Sequence, residues 1–373
     1  MLAPYVLPGE RVRVEVTGEK KGLVRARVLE VLEPAAGRVE ARCSYYGQCG
    51  GCHYQHLEYE RQVSAKKAVL AEVLERVGKM EPPEITTIAA EPFEYRNRVQ
   101  FHIEGRRLGF HKARTRTLQP VMRCPIAHPL INEALAALRR MAHQPRFPGF
   151  IQSLELFTNG EQLQVNVVET DGRRVARPFF EWCAKQMPIA ETSWLDYPLG
   201  TDTFRVGHRS FFQVNRFLAG RLAEEATGGE GGGRAWDLYA GVGLFTLPLA
   251  RKFDRVTAVE SGKGAADNLE HNAARAGVEV ETVRNSVEGY LAAAGGAPDF
   301  VLADPPRTGL GKSVAGHLIR LRPPRLVIVS CDPATLARDL APLRAAGYRI
   351  ESMKMVDLFP QTMHIETLTE LRL

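Results

Sequence analysis

The stretch DLYAGVGLFTLPLA, residues 237–250, contains a glycine turn that bears on the fold of this chain of 373 residues. The turn follows the apolar run AWDLYA and precedes the helix-forming segment LFTLPLARKF. Gly241 and Gly243 allow a tight turn and let a ligand approach the backbone closely. Position 246 is threonine, so the third glycine of a dinucleotide fingerprint is missing. On its own, the turn is as compatible with an ordinary strand-to-helix connection as with a cofactor loop.

Further short apolar runs, VTAVE, FVLAD and LVIVS, are separated by helical segments such as GKGAADNLEHNAARAG. This alternation is typical of a parallel sheet flanked by helices. Glu260 ends one run, where a carboxylate can accept hydrogen bonds from both hydroxyls of a ribose, and Asp304 ends another. The pattern predicts an α/β, Rossmann-like domain, and it resembles the S-adenosylmethionine-dependent methyltransferases more than NAD-binding or nucleotide-binding proteins.

The first half of the chain has a different rhythm. RVRVEV and LVRARVLEV alternate apolar and polar residues and predict two half-buried strands of a small β-barrel. Residues 60–77 predict a helix with Leu70, Val73, Leu74 and Val77 on one apolar face. The short strand-like segments that follow predict a mostly antiparallel α+β region. We therefore expect a β-module over 1–42, a central α+β domain over 43–205 and the Rossmann-like domain over 206–373.

The net charge of +6 is concentrated in one segment. Residues 95–120 contain seven Arg and Lys residues and one Glu, a net charge of +6 that equals that of the whole chain. Basic and aromatic residues interleave there, which favours RNA contact, although a solvated face would also explain a run of charge. There is no apolar run of membrane-spanning length and no signal-peptide pattern at the start, so we expect a cytoplasmic protein without a membrane partner.

The stretch VIVSCDPATLARDL, residues 327–340, places a lone Cys331 between an apolar run and a helix-forming segment. Backbone N–H groups and the dipole at a helix start favour an anion, so we expect the thiolate of Cys331 to be favoured. For an isolated cysteine, an ordinary buried position is the simpler interpretation.

Four other cysteines form a spaced set, namely Cys43, Cys49, Cys52 and Cys124. The CGGC pair and the proline after the fourth cysteine are similar to iron–sulfur ligation. Zinc is the alternative, with His53 or His56 as a substitute ligand, because four sulfurs also suit tetrahedral zinc.

Five motifs occur together in the order, and at roughly the spacing, of the RNA uracil-5 methyltransferases. They are FFQVN (211–215), DLYAGVGLFTLPLA (237–250), DPPRTGL (304–310), SCDPATLARDL (330–340) and HIETLTEL (364–371). The chain resembles this family over nearly its whole length. With the four cysteines, it is most similar to the members of the RumA/RlmD type that act on ribosomal RNA.

The resemblance implies a reaction in which the Cys331 thiolate adds to uracil C6, C5 attacks the methyl group, and Glu366 removes the C5 proton. It also implies a catalytic role for Asp304, which would contact the uracil edge or the cofactor. Phe211 would stack on a base, and we expect one of Phe211 and Phe212 to lie in the core instead. The residues implied to bind S-adenosylmethionine are Gln213, Tyr239, Gly241, Glu260, Asn285 and Asp304. Leu244 departs from relatives that carry Asn after the second glycine.

The same resemblance implies a [4Fe-4S] cluster on the four cysteines and a TRAM-like, OB-type barrel that is cut short at the N-terminus. We expect Arg106, Arg107, Arg114 and Arg116 to contact structured RNA, with 23S ribosomal RNA as the substrate of a monomeric enzyme. Two alternatives remain at this point: a methyltransferase for a uridine in the tRNA T-loop, and a non-catalytic RNA-binding protein on the same fold.

Overall fold

The structure is a computed structural model that describes residues 1–373. In chain order the elements are β1 (Arg11–Lys20), β2 (Leu23–Glu33), α1 (Tyr59–Arg76), β3 (Ile85–Ile88), β4 (Arg98–Glu104), β5 (Arg107–His111), β6 (Leu118–Pro120), α2 (Pro129–Ala142), β7 (Ile151–Thr158), β8 (Leu163–Thr170), α3 (Arg177–Ala184), β9 (Trp194–Leu199), β10 (Asp202–Gly207), α4 (Ala219–Ala226), β11 (Gly232–Leu238), α5 (Thr246–Ala250), β12 (Phe253–Val259), α6 (Lys263–Ala276), β13 (Glu281–Val283), α7 (Val287–Ala293), β14 (Phe300–Ala303), α8 (Gly311–Leu321), β15 (Arg325–Ser330), α9 (Pro333–Ala345), β16 (Arg349–Val356) and β17 (Glu366–Arg372). No helix is long and apolar enough to cross a membrane.

An eight-stranded sheet forms the C-terminal half, in the order β13-β12-β11-β14-β15-β17-β16-β3. Strands β11 to β15 pair in parallel, and β17 is antiparallel to both of its neighbours, β15 and β16. The central strands are continuous apolar runs because helices cover both faces of the sheet. The predicted α/β domain is therefore confirmed.

The central region contains a five-stranded antiparallel sheet in the order β6-β5-β4-β7-β8. Helices α2 and α3 contribute to the same core as this sheet, with Leu135, Leu138 and Trp182 among the buried residues. The predicted antiparallel α+β character is confirmed.

The N-terminal strands β1 and β2 form a hairpin whose strands pair with each other. Val16, Leu29 and Leu32 on this hairpin are exposed. The two predicted strands are confirmed, and the relation of this hairpin to a TRAM-like barrel stays a prediction.

Two segments cross the boundaries drawn from the sequence. Strand β3 extends the eight-stranded sheet beside β16, and the β9–β10 hairpin packs on α6. The Arg205 N–H, for example, donates to Asn272 Oδ1 on α6 at 2.7 Å. The central and C-terminal parts therefore share structural elements, and the three sequence ranges stay predictions as domains.

Helix α1 buries polar residues that sequence periodicity does not reveal. Leu70 and Leu74 are buried as expected, whereas Val77 is 50% exposed. Gln62 and Lys66 extend the buried face toward the start of the helix. The buried face of the helix was therefore predicted correctly at Leu70 and Leu74 and wrongly at Val77. The sequence analysis did not predict that polar residues of this helix are buried.

Lys66 forms a fully buried ion pair with the C-terminal half of the chain. Its Nζ donates to Asp357 Oδ1 at 2.6 Å and to the Phe359 carbonyl at 2.9 Å. The Tyr59 hydroxyl donates to the other carboxylate oxygen, Asp357 Oδ2, at 2.9 Å. Both charged side chains are 1% exposed, so each depends on the other for compensation of its charge.

We expect Lys66→Met to destabilise the protein strongly, because it leaves the Asp357 carboxylate buried without its cation. The free energy of unfolding, measured by urea denaturation, should fall by about 3–5 kcal/mol. Arg76→Met is the control, since Arg76 and Glu72 form an exposed pair on the same helix, and it should cost less than about 1 kcal/mol. Equal losses in the two variants would contradict this assignment.

Candidate active site

Asp304, Cys331 and Glu366 leave three neighbouring strands at one edge of the large sheet. Strands β14 and β15 are parallel and end directly before Asp304 and Cys331. Strand β17 runs the other way, and its Thr367 pairs with Ser330. This register brings Glu366, the first residue of β17, opposite Cys331. The structure thus brings together the three residues that the sequence analysis assigned to catalysis.

The charges at this edge oppose ionisation of the thiol. The pKa of Cys331 is raised to about 11, mainly by burial and also by the charges of Glu366 and Asp304, against an opposing effect of Arg307. The expectation of a favoured thiolate is therefore wrong for the protein without its ligands.

The cap of helix α9 gives part of the physical reason. The Asp332 carboxylate accepts from the backbone N–H groups of Ala334 and Thr335, each at 2.9 Å. These backbone N–H groups were expected to favour the Cys331 thiolate. They bind instead the carboxylate of Asp332, one residue further along the chain.

The two carboxyl groups also hold their protons more tightly than usual. Burial and the neighbouring Asp304 raise the pKa of Glu366 well above its ordinary value, against a smaller opposing effect of Arg307. Burial raises the pKa of Asp304 to about 7. A buried carboxylate with a raised pKa is a stronger base than a surface carboxylate, which suits proton abstraction.

The turn after β11 has the backbone of a ligand loop. Tyr239, Gly241 and Gly243 have φ angles of +66°, +57° and +96°. Glu260 braces this turn, because its carboxylate accepts from the Gly241 N–H at 2.9 Å and from the Gly262 N–H at 2.5 Å. A Cβ atom added to Gly241 would meet no atom within 4 Å, so the turn faces open space.

Asp237 lies beneath the same turn and was not singled out as a functional residue by the sequence analysis. Its side chain is fully buried, and its Oδ2 accepts from the Thr246 hydroxyl at 2.5 Å. The other oxygen, Oδ1, has no hydrogen-bond partner, and burial raises the pKa of the carboxyl to about 7. A buried acceptor without a partner is costly, so the donor of a bound ligand could stabilise it.

The FFQ segment separates into an exposed and a buried part. Phe211 is 61% exposed, whereas Phe212 is 2% exposed and packs on Tyr197 with ring centroids 4.7 Å apart. The expectation that one of the two lies in the core is confirmed. Gln213 is buried, and its carbonyl accepts from Asn97 Nδ2 at 3.1 Å.

Asn285 from the expected cofactor set and Leu244, the position that departs from relatives, differ in exposure. Asn285 is exposed beyond β13, where its Oδ1 accepts from the Ser286 N–H at 2.8 Å. Leu244 is buried in the core, so the residue that departs from relatives serves packing in this chain.

The four cysteines Cys43, Cys49, Cys52 and Cys124 line one cavity of about 190 Å³. Burial raises the pKa of Cys52 to about 12 and that of Cys124 to about 11. Gln55 also lines the cavity, and its Nε2 is buried without a hydrogen-bond partner. A cavity with four thiols and a free donor fits a sulfur-rich metal cluster.

The two histidines named as substitute zinc ligands lie outside this cavity. No group of three or more His, Cys, Asp or Glu side chains is arranged to hold a metal ion, so the four cysteines do not form a finished site for zinc or for a cluster. His56 bonds to the Tyr46 hydroxyl and His53 contacts the Met363 N–H at 3.4 Å, and neither ring lines the cavity.

The basic segment does not form one continuous surface. Arg106 and Arg107 lie at the β4–β5 turn, whereas Arg114 and Arg116 lie in the β5–β6 connection at the other end of β5. All four are exposed. Arg98, in the same segment, is buried and donates to the Ser210 carbonyl at 2.7 Å. The β5–β6 connection lies beside residues 43–54, where the Ala113 N–H donates to the Gln48 carbonyl at 3.1 Å.

Comparison with known proteins identifies consistent relatives. A sequence profile described as tRNA (Uracil-5-)-methyltransferase matches residues 200–372. An uncharacterized RNA methyltransferase of Aquifex aeolicus is 32% identical, over 98% of this chain and 91% of its own length. The 23S rRNA (uracil(1939)-C(5))-methyltransferase RlmD of Alkalilimnicola ehrlichii is 33% identical, over 97% of this chain and 89% of its own.

A solved structure has the same architecture over the whole chain. It is the Pyrococcus abyssi tRNA (uracil-54, C5)-methyltransferase in complex with S-adenosyl-L-homocysteine. The TM-score is 0.77 at 25% identity, and the match covers 100% of this chain and 95% of that one.

We expect the alkylation of Cys331 by iodoacetamide to report the charges around it. With a pKa of about 11, its rate should rise by about tenfold per pH unit between about pH 8 and pH 10. Arg307→Gln should slow alkylation at a given pH, because it removes the charge that lowers the pKa of Cys331. Glu366→Gln should accelerate it at alkaline pH, because it removes a charge that raises this pKa.

Peptide-resolved mass spectrometry distinguishes Cys331 from the other thiols in this measurement. Arg140→Gln, which alters an exposed arginine on α2, should leave the rate unchanged. A rate that reaches its plateau near pH 8, or that is insensitive to both active-site substitutions, would contradict this description of the site.

Proposed function

The chain belongs to the RNA uracil-5 methyltransferases, and from this membership we propose that it methylates C5 of a specific uridine in 23S ribosomal RNA through a covalent adduct with Cys331. The observation that carries the proposal is the convergence of Cys331, Glu366 and Asp304 at the sheet edge next to the glycine turn. The relatives named as RlmD enzymes support the choice of ribosomal RNA as substrate.

Cys331 opens the reaction in this proposal. Uracil C5 is a weak nucleophile, and addition of a thiolate to C6 moves the electrons of the C5–C6 double bond toward C5 and the C4 oxygen. The thiol of Cys331 must first lose its proton to one of the nearby carboxylates, Asp304 or Glu366, and that proton must leave the site before Glu366 can act as a base on C5. Positive charge from Arg307 and from bound ligands would lower the pKa of the thiol.

S-adenosylmethionine supplies the electrophilic methyl group when it is bound. The proposed binding residues are Gln213, Tyr239, Gly241, Glu260, Asn285 and Asp304, of which Tyr239 and Gly241 lie in the turn after β11. The open space at Gly241 and the unpaired Asp237 oxygen support this placement. Glu260 already accepts from two backbone donors with its two oxygens, which fixes the carboxylate at the end of β12 where it can meet a ribose.

Glu366 completes the reaction in this proposal. After C5 has been methylated, its proton must leave before the C6–sulfur bond can break. Glu366 is 5% exposed and opposite Cys331, so it can take this proton on the side of the thioether. Its raised pKa makes it a competent base for a weakly acidic carbon.

We place a [4Fe-4S] cluster on Cys43, Cys49, Cys52 and Cys124, which would hold it through four thiolates. The shared cavity, its four thiols and the free Gln55 donor support this placement. The reaction transfers a methyl cation equivalent and a proton, so it requires no electrons from the cluster. Its proposed role is structural.

The RNA would contact two groups of exposed arginines, one at each end of β5. Arg114 lines a cavity of about 1340 Å³ between the N-terminal hairpin and residues 43–54, together with Arg27, Tyr46 and Tyr54. Arg116 lies in the same connection, and Arg106 and Arg107 lie at the opposite end of β5. Cations beside aromatic side chains suit phosphates and unstacked bases, and the exposed Phe211 offers a further stacking surface.

The runner-up is methylation of a tRNA uridine, because the matched solved structure is named as a tRNA enzyme. A non-catalytic RNA-binding role is disfavoured, since the chain retains both Cys331 and Glu366 at the sheet edge.

We expect 5-methyluridine to form in unmodified 23S ribosomal RNA incubated with the protein and S-adenosylmethionine, and not in unmodified tRNA. Mass analysis of the nucleosides measures it. Cys331→Ala should abolish the product, whereas Cys183→Ala should leave it unchanged because Cys183 is buried in the central core. Product in tRNA alone would overturn the substrate, and product with Cys331→Ala would overturn the nucleophile.

We expect protein purified without oxygen to be brown, with an absorbance band at about 400 nm. Cys52→Ser should remove the band and most of the iron measured by metal analysis. Cys183→Ser should retain both, since Cys183 lies outside the cavity. Stoichiometric zinc without iron would overturn the cluster.

A further inference from the structure

The segment of residues 357–365, here called the 357–365 loop, joins β16 to β17 and ends directly before Glu366. Groups from earlier parts of the chain bind the carbonyl oxygens of four successive loop residues. Asn215 Nδ2 donates to the Leu358 carbonyl at 3.1 Å, Lys66 Nζ to the next carbonyl at 2.9 Å, and the Tyr95 hydroxyl to that of Pro360 at 3.1 Å. The position of the loop therefore depends on the central part of the chain.

Gln361 is the fourth of these residues and the most constrained. It is 2% exposed and has a φ angle of +67°, a conformation that residues other than glycine seldom adopt. Its side chain and backbone pair with one residue of α1, Gln62. Gln62 Nε2 donates to Gln361 Oε1 at 3.0 Å, and the Gln361 N–H donates to Gln62 Oε1 at 3.1 Å.

The carbonyl of Gln361 contacts the cysteine-bearing residues 43–54. It accepts from the N–H groups of His53 and Tyr54, at 2.8 and 3.0 Å. These two residues directly follow Cys52, one of the four cysteines of the shared cavity. Gln361 therefore connects the cysteine-bearing residues 43–54 directly to the loop that leads into Glu366.

We propose that Gln62, together with the backbone of His53 and Tyr54, positions Glu366 for removal of the C5 proton, and that the metal cluster acts on the reaction through this contact. This inference rests on the proposed function. Gln62 and Gln361 are positioning residues, because they act through the loop and touch neither reacting atom.

Different structural elements hold Cys331 and Glu366, so removal of the C5 proton can slow without a change in thiolate addition or methyl transfer. Cys331 is held by β15 and by the Asp332 cap of α9, and neither belongs to the 357–365 loop. In the last step the Glu366 carboxylate takes the C5 proton, the C5–H electrons form the C5–C6 double bond, and the C6–S bond breaks with its electron pair leaving on the Cys331 sulfur. A displaced Glu366 would slow this elimination and leave thiolate addition and methyl transfer nearly intact.

The test uses Gln62→Met, which keeps the length and burial of the side chain and removes both hydrogen bonds to Gln361. A 23S ribosomal RNA fragment carrying tritium at uridine C5 is mixed with excess protein and S-adenosylmethionine labelled in the methyl group with radiocarbon. Radiocarbon bound to the RNA reports methyl transfer, and tritium released to water reports proton abstraction.

We expect tritium release to slow by about tenfold or more while methyl transfer changes by less than about twofold, because small misplacement of a reacting group is costly. Methylated RNA should then accumulate as an adduct with the protein that survives denaturing electrophoresis. Val314→Ala is the stability control, since Val314 is buried in α8 of the same domain, and it should produce no such separation. Equal slowing of both steps by Gln62→Met would overturn the inference.

A second measurement concerns the cysteine site and does not depend on activity. Cys52→Ser should accelerate hydrogen exchange at the amides of His53, Tyr54 and Gln361, which form the contact, and Val314→Ala should not. Unchanged exchange in Cys52→Ser protein that has lost its iron would overturn the part of the inference that involves the cluster.

The same experiment distinguishes a failure of the proposed function from a failure of the positioning role. If the unsubstituted protein neither methylates the RNA nor releases tritium, the proposed function is wrong. If it does both, and Gln62→Met does not separate them, only the positioning role is wrong.

Discussion

The ends of several strands meet at one edge of the large sheet, and this arrangement fixes the positions of all the candidate catalytic residues. Parallel strands place their carboxyl ends together, so the glycine turn after β11, Asp304 after β14 and Cys331 after β15 share one edge. The antiparallel β17 is inserted beside β15 and begins where β15 ends. Glu366 can face Cys331 only because β17 runs against its neighbour.

The same edge concentrates acidic groups with little compensating charge. Asp304 and Glu366 raise the pKa of Cys331, and Arg307 is the nearby cation that opposes them. Asp237 adds a buried, partly unpaired carboxyl below the glycine turn. Under the proposed function, such a site would keep its thiol protonated until bound ligands bring positive charge.

The central region does more than carry the cysteines. Helix α1 sends a buried lysine and a buried glutamine into the C-terminal half, and β3 extends the large sheet. The fully buried Lys66–Asp357 pair anchors the start of the loop that leads to Glu366. Stability and the position of the candidate base therefore depend on the same contacts, so a substitution in α1 can alter both.

The amino-acid sequence indicated the α/β class, most strands and the glycine turn, because apolar periodicity and short motifs are local properties. The residues assigned to catalysis came from the resemblance to a family, and their roles stay proposals. The sequence also indicated that one of Phe211 and Phe212 is buried, while only the structure showed that it is Phe212. Only the tertiary structure decided the ionisation of Cys331 and the partners of Gln62 and Lys66. Those partners lie 299 and 291 residues further along the chain. A hydrogen bond over that separation, or a pKa set by neighbours on three strands, depends on packing, and no local pattern encodes it.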